Sequence, residues 1–389
     1  MRLLVINWFD WTHPLWGGAE VYLREVFRRL AARGHQVTLL CSSYAGGRPD
    51  AVEEGVRILR RGWFWTFHLQ VPWLYRRHLA AERWDCVFEY TNKVPMLTPL
   101  YVRAPLVAVA HHLFGATIFH ASAPPIASYA YLMERLLPLF YRRTPWIAVS
   151  ESTRADLIRR GIPRERIHIV PNGIDSTFFA PPAAPHKLAA GSTIAWIGRL
   201  RRYKRVDVLL RALPLVREQV PEATLEVAGE GPERARLEAL AAKLGLGASA
   251  RFLGSLSELE KRALLQRAAV LAQPSIKEGW GLTILEAGAC GVPAVASDVA
   301  GLHESVRHGE TGLLVPPGDP VALAEALVAL LRDPARRRAM GAAARRWAEQ
   351  FDWEHAAAAT EALAAAAGST VAAQPAGGLG TVPHRIAAR

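Results

Sequence analysis

Pro274 to Val299 reads PSIKEGWGLTILEAGACGVPAVASDV, and its two carboxylates, Glu278 and Glu286, stand eight residues apart. Between them Gly279-Trp280-Gly281 makes a turn, and a short apolar run follows that reads as the first turns of a helix. Amides at a helix start lack intrahelical acceptors, and the local dipole favours an anion. A carboxylate on either side of the turn accepts hydrogen bonds from hydroxyls. Phosphate on amides and sugar hydroxyls on carboxylates is the chemistry that binds a nucleotide sugar. The plainer reading of Glu286 is an exposed helix glutamate stabilised by the dipole.

Outward from this stretch, short apolar runs alternate with helix-length segments. Strands are expected near Thr193–Ile197, Thr224–Ala228, Arg251–Leu253, Val270–Gln273 and Ala294–Ala296, with helices between them. The first half opens the same way. RLLVIN is a strand, Val21 to Leu30 carries apolar residues at helical spacing, Gly34 ends that helix, and QVTLLC is the next strand. PLVAVAHH and PWIAVS read as later strands of the same sheet. The expected fold class is α/β: two Rossmann-like, doubly wound parallel sheets with a cleft between them. Residues 1–180 form the first domain and 191–350 the second, joined by a linker over Ala180 to Ala190. Asp319 to Trp347 holds two helices, and a further helix spans about 353–367. Residues 368–389, rich in Ala, Gly and Pro, read as a disordered tail.

Composition agrees with two globular domains: 389 residues, 51% hydrophobic and 21% charged. No apolar run reaches the roughly 18–20 residues needed to span a bilayer, and the N-terminus is too short and polar for a signal peptide. The chain is read as cytoplasmic, soluble or peripheral to the inner face of the cell membrane. Its three cysteines, Cys41, Cys86 and Cys290, sit in apolar contexts without metal-ligand spacing, as small core residues would. Net charge is +12, with most of the excess before residue 180. A basic half implies an acidic partner surface, and no nucleic-acid-binding motif accompanies it. Arg60 to Trp84 sets Trp63, Trp65, Trp73 and Trp84 among arginines, a composition suited either to an anionic membrane interface or to a core helix with snorkelling arginines.

Five segments in order carry a family resemblance: the Gly-Gly-Ala-Glu loop at Gly17 to Glu20, PNGID at Pro171 to Asp175, IGRLRRYKRVD at Ile197 to Asp207, VAGEGPERARLE at Val227 to Glu238, and ETGLLVPPGD at Glu310 to Asp319. With Glu278, Glu286 and the seven residues between them, they resemble glycosyltransferase family 4, the retaining, nucleotide-sugar-dependent enzymes with an E-x7-E motif. The resemblance implies the GT-B fold, with the helix near 353 crossing back to the first domain. It implies a hexosyltransferase moving sugar from a nucleotide diphosphate to a hydroxyl acceptor in lipid-linked glycan, glycolipid or surface polysaccharide assembly. An epimerase of the same fold and a non-catalytic sugar-nucleotide-binding scaffold stay open as alternatives.

Roles follow residue by residue. Glu286 is expected to hold the donor ribose. Glu278 is expected to face the transferred sugar and support positive charge at its anomeric carbon, without acting as a covalent nucleophile. Arg199 and Lys204, just past the strand TIAWIG, are expected to neutralise the diphosphate as its charge grows, with Lys204 read as a surface cation of little structural weight. Arg201, Arg202 and Arg205 read as a solvated rim. Gly17 and Gly18 would let backbone approach phosphate at a helix start, and Glu20 falls on the acceptor side. His111 and His112 follow PLVAVA, and His111, the first past the strand, is taken as the one touching the donor sugar. Gly229 and Gly231 would lie near the nucleoside, Gly279 and Gly281 in the anion turn, Asn172-Gly173 in a hinge-side turn, and Ser150 at a helix N-cap. No cofactor or metal is expected. The donor base, the sugar and the acceptor are left open.

Overall fold

The computed structural model describes residues 1–91, 94–120, 123–182 and 191–372. Residues 183–190 of the expected linker and 373–389 of the expected tail lie outside the described residues.

The first sheet contains β1 (Arg2–Ile6), β2 (Gln36–Cys41), β3 (Asp50–Glu53), β4 (Val56–Arg60), β5 (Cys86–Tyr90), β6 (Leu106–Ala110), β7 (Trp146–Ala148) and β8 (Ile167–Ile169). Their order is β3-β4-β2-β1-β5-β6-β7-β8, parallel except for the antiparallel β3–β4 hairpin. The second contains β9 (Thr193–Ile197), β10 (Thr224–Ala228), β11 (Ala250–Gly254), β12 (Val270–Gln273), β13 (Ala294–Ser297) and β14 (Gly312–Val315). It is parallel throughout, in the order β11-β10-β9-β12-β13-β14. Helices cover the central strands on both faces, so β1, β5, β12 and β13 are almost wholly buried, and their sequences are mostly apolar without alternation.

Several strands escape the apolar-run reading. β3 is a half-exposed edge strand with acidic ends, DAVE. β5 carries Glu89 in its buried run. That carboxylate accepts both backbone and side-chain hydrogen bonds, from the Met96 amide at 2.6 Å, the Thr98 amide at 3.1 Å and the Tyr141 hydroxyl at 2.7 Å. Burial raises its pKa above the ordinary value despite these donors.

The helix expected over 353–367 runs Trp353–Ala372, so residues 368–372 of the expected tail are helical. Its alanines, among them buried Ala356, Ala357 and Ala364, allow close packing on the helix Gly18–Ala32 of the first domain. Arg29 and Arg33 reach Glu354, and Arg33 and His35 reach Glu361, each at 2.7 Å. Where the chain crosses back, the Ile174 amide donates to the Phe351 carbonyl at 3.0 Å. Cys41, Cys86 and Cys290 are buried and free.

Candidate active site

In both sheets the strand order reverses beside the first strand, which opens a crevice at the carboxyl ends. In the second domain that juxtaposition sets β9 next to β12. β9 delivers Gly198 to Arg205 and β12 delivers Pro274 to Gly281, so residues far apart in sequence meet. Lys204 Nζ lies 2.5 Å from Glu278 Oε1, and Gln273 Nε2 donates to the same oxygen at 3.2 Å. The side chains are only 14% and 13% exposed, so Lys204 is not the surface cation its sequence context implied. Burial alone would raise the Glu278 pKa, but the Lys204 charge, with hydrogen bonds from Lys204, Ser275 and Gln273, outweighs it and holds the carboxyl below its usual value. Burial pulls Lys204 down, and Glu278 more than compensates. The pair is therefore ionised at neutral pH.

Glu286 is the fifth residue of the helix Leu282–Ala289 and is buried, which rules out the exposed-glutamate reading. Lys261 Nζ pairs with it at 2.7 Å and also with Glu258 at 3.0 Å. Burial raises the Glu286 pKa and Lys261 opposes the shift. Sequence reading missed Lys261. It stands on the helix Glu258–Arg267, capped by Ser257, and only the fold shows that this helix abuts Leu282–Ala289.

The first domain closes the crevice. Gly17 precedes the helix Gly18–Ala32, and its amide donates to Glu20 Oε2 at 2.8 Å. Glu20 is buried and also accepts from Asn7 Nδ2 at 3.2 Å. It therefore shapes this loop rather than presenting a carboxylate on the acceptor side. Arg199 reaches across and donates from Nη1 to the Leu15 carbonyl at 2.9 Å. A Cβ on Gly17 would sit 3.2 Å from Arg199 Nη2, so the diglycine loop and this guanidinium share one corner of the cleft.

Gly229 and Gly231 lie under the Arg199 loop. A Cβ on Gly229, at φ +133, would come within 1.8 Å of the Gly198 carbonyl, and one on Gly231 within 2.3 Å of the Leu200 carbonyl. Their visible function is to let that loop settle on β10. Gly281, at φ +82, starts the helix Leu282–Ala289. Gly279 lets the anion turn meet the first domain, since a Cβ there would approach the His111 carbonyl to 2.4 Å. Of the expected basic rim, Arg202 is exposed, whereas Arg201 and Arg205 are half-buried and Arg205 pairs with Asp207.

The structure sets His111 and His112 in different surroundings. Its ring turns into the first domain between Tyr22 and Tyr90, at centroid distances of 5.1 and 5.7 Å, and burial pushes its pKa down to about 3. His112 borders the pocket with Tyr203, Lys277 and Glu278. Burial first, then the Lys277 charge, push His112 down to about 4, so it is neutral at pH 7. Consecutive residues past a strand point opposite ways, and the apolar side here belongs to His111. Glu134 fixes the loop that follows, accepting from the Phe114 and Gly115 amides at 2.7 and 2.8 Å while Arg160 neutralises it at 3.0 Å.

Further contacts join the two domains beside the cleft. Ser150 caps the helix Glu151–Arg159, as expected, accepting from the Thr153 amide at 3.0 Å. Glu304 of the second domain accepts from the Glu151 and Ser152 amides at that same helix start, at 2.6 and 2.8 Å. Lys277 pairs with Asp156 at 3.2 Å. Among the described residues, no three His, Cys, Asp or Glu are grouped to hold a metal ion.

The sequence and the fold have known counterparts. The family described as Glycosyl transferases group 1 matches residues 186–347, and that described as Glycosyltransferase Family 4 matches residues 16–178. Glycogen synthase of Mycobacterium tuberculosis (strain ATCC 25618 / H37Rv) is 30% identical over 395 residues, covering 92% of this chain and 93% of that protein. Phosphatidyl-myo-inositol mannosyltransferase of Mycobacterium leprae is 31% identical over 374 residues, covering 91% and 93%. Among solved structures, sucrose-phosphate synthase from Thermosynechococcus elongatus superposes with a TM-score of 0.82 at 24% identity, covering 96% of this chain and 100% of that one. The chain belongs to glycosyltransferase family 4, in the group 1 class, and has the GT-B fold. It is a nucleotide-sugar-dependent glycosyltransferase of glycan biosynthesis.

Proposed function

We propose that the chain transfers a hexose with retention from a nucleoside diphosphate to a hydroxyl of a lipid-linked acceptor, without a metal ion. The observation that carries this reading is the ionised Lys204–Glu278 pair at the strand reversal, opposite Arg199 and the Gly17-Gly18 loop. The donor diphosphate lies between Lys204, Arg199 and the helix start at Gly18. As the bond from the anomeric carbon to phosphate breaks, negative charge builds on the leaving oxygen, and these fixed cations meet it. The acceptor oxygen bonds to the same face of the sugar, and its proton passes to the departing phosphate. Glu278 supports the anomeric carbon, and Glu286, held by Lys261, takes the ribose hydroxyls. Neutral His112 offers the sugar a hydrogen-bonding group at the pocket edge.

One assay tests this reading: the purified chain is incubated with UDP-glucose, GDP-mannose and ADP-glucose, with and without EDTA. Hydrolysis or transfer of one donor is expected, undiminished by chelation, and NMR of fresh product should show the donor's anomeric configuration. If EDTA abolishes turnover and Mg²⁺ or Mn²⁺ restores it, the charge assignment to Arg199 and Lys204 falls. An inverted product would overturn the retaining mechanism.

A lipid-linked acceptor is supported by the outer face of the first domain. The helix Phe67–His78 exposes Leu69, Trp73, Arg76 and Arg77, and the helix Pro124–Arg135 exposes Ile126, Leu132 and Arg135. His68 of the first helix meets the Tyr129 hydroxyl of the second at 3.0 Å, so the two form one basic, apolar face. Trp84 is buried and is no part of it. No helix among the described residues is long and apolar enough to cross a membrane. Each basic residue at an anionic surface contributes about 1 kcal/mol, screened within a Debye length. Co-sedimentation with liposomes should therefore require anionic lipid, fall with salt and weaken in Leu69→Ser/Trp73→Ser. Protein left in the supernatant at low salt, or bound equally to neutral liposomes, would remove the membrane reading.

A further inference from the structure

A second cavity, of about 510 Å³, opens on the first domain at the carboxyl ends of β1, β2 and β4, and it is lined by aromatic rings. Phe64 forms its floor, packed on Phe9 at 5.5 Å and 13° between planes, with His13 at 6.1 Å on the same ring. Trp63 and Trp65 flank it, each 63% exposed. Tyr44 and Leu15 also line it.

The wall is held in place before any ligand arrives. Asp10 and Arg60, both buried beneath it, pair at 2.7 Å. Asp10 Oδ1 accepts from the Thr12 amide at 2.7 Å, Arg60 Nη2 donates to Thr12 Oγ1 at 2.9 Å, and Thr12 Oγ1 lies 2.7 Å from the Tyr44 hydroxyl. The guanidinium also sits over the Tyr44 ring, 5.5 Å from its centroid. The two charges cancel each other below the surface. Among the described residues lining the cavity, none is Asp, Glu, Lys or Arg, and burial keeps the His13 pKa below its ordinary value.

We propose that this cavity is a subsite for a neutral sugar ring of the acceptor, stacked on Trp63 and Trp65. The inference rests on the glycosyltransferase reading above and goes beyond it by naming what the acceptor presents. The absence of lining charge argues against a phosphate or uronate in the cavity. Bare aromatic faces beside the hydroxyls of Ser43 and Tyr44 match a pyranose, which has apolar faces and a polar rim, better than a hydrocarbon chain, which has no use for the polar groups. The cavity adjoins the catalytic cleft through Leu15, which lines it and whose carbonyl accepts from Arg199. A sugar on the tryptophans is thus one residue removed from the donor phosphate corner.

The test uses an array of neutral and uronic-acid oligosaccharides, with dodecanol as a sugar-free chain, and the full chain preloaded with UDP or GDP. Neutral oligosaccharides should be retained, with affinity falling about tenfold in Trp63→Ala and in Trp65→Ala, as for an aromatic interface residue. Trp63→Phe should keep most of the binding. Titrations of UDP, GDP and ADP should be unchanged in all three variants. Retention of no glycan or of acidic glycans only, saturable binding of dodecanol lost in the same variants, or full glycan binding by both alanine variants would each overturn the proposal. Failure of the wild-type chain to bind any nucleotide would instead strike the donor site, leaving the sugar subsite to its own result.

Discussion

Glu278→Ala is expected to lower kcat by about 10²-fold or more while raising KM far less, since its carboxylate acts on charge that appears only in the transition state. The structure adds a complication that the sequence did not reveal. Glu278 is the partner of a mostly buried Lys204, and removing one member of such a pair leaves the other uncompensated, a loss of about 3–5 kcal/mol where burial is complete and less here. Glu278→Gln also leaves Lys204 uncompensated but keeps the shape and one acceptor, so its difference from Glu278→Ala isolates shape from charge. Steady-state kinetics and thermal melts on both variants check this. If Glu278→Gln retains wild-type kcat, the carboxylate's charge is not used. The pH dependence of stability should follow from the depressed Glu278 pKa. The paired carboxylate contributes fully above its unfolded value and loses that contribution as pH falls through the lower folded value. The stability gap between wild type and Glu278→Gln should therefore narrow in acid and be flat above the carboxylate range. For the same reason Lys204→Ala should lower both melting temperature and activity.

Glu286→Ala should lose donor affinity by about 10- to 100-fold, the worth of one or two hydrogen bonds from hydroxyls to a charged acceptor. Lys261→Met should reproduce part of that loss without touching the donor. Burial already raises the Glu286 pKa, and Lys261 is the charge that opposes it at 2.7 Å. Without the lysine the carboxyl shifts further toward its neutral form, a poorer acceptor for the ribose. Calorimetry of UDP, GDP and ADP against the two variants reads this directly. Unchanged affinity in Glu286→Ala would sink the ribose assignment. Loss in Glu286→Ala with no change in Lys261→Met would leave Lys261 a merely structural cation.

The chain's local pattern was enough for most of the framework. β9, β10, β12 and β13 stand where apolar runs bounded by turn residues predict them, because a parallel strand covered on both faces is mostly apolar. Glycines marked the turns where backbone meets backbone. β3 and β5 were not legible. β5 hides a glutamate whose partners, Tyr141, Met96 and Thr98, come from later segments, and β3 is an edge with one face in water.

The family resemblance also placed Glu278, Glu286, Arg199 and Lys204 in one functional group, near strand ends that converge in this fold. It could not say which of them touch. Lys204 meets Glu278 only because the strand order sets β9 beside β12, and Lys261 reaches Glu286 only because two helices pack. That His112 and not His111 borders the pocket is of the same kind. Adjacent side chains at a strand end leave on opposite sides, and which side is core depends on Tyr22 and Tyr90, supplied by two other elements. Local sequence thus determined the elements, their class and the residue types at the cleft, because these follow from periodicity and backbone chemistry. Pairing, burial and the protonation they impose were decided by tertiary structure, because each depends on groups brought together through space from distant parts of the chain.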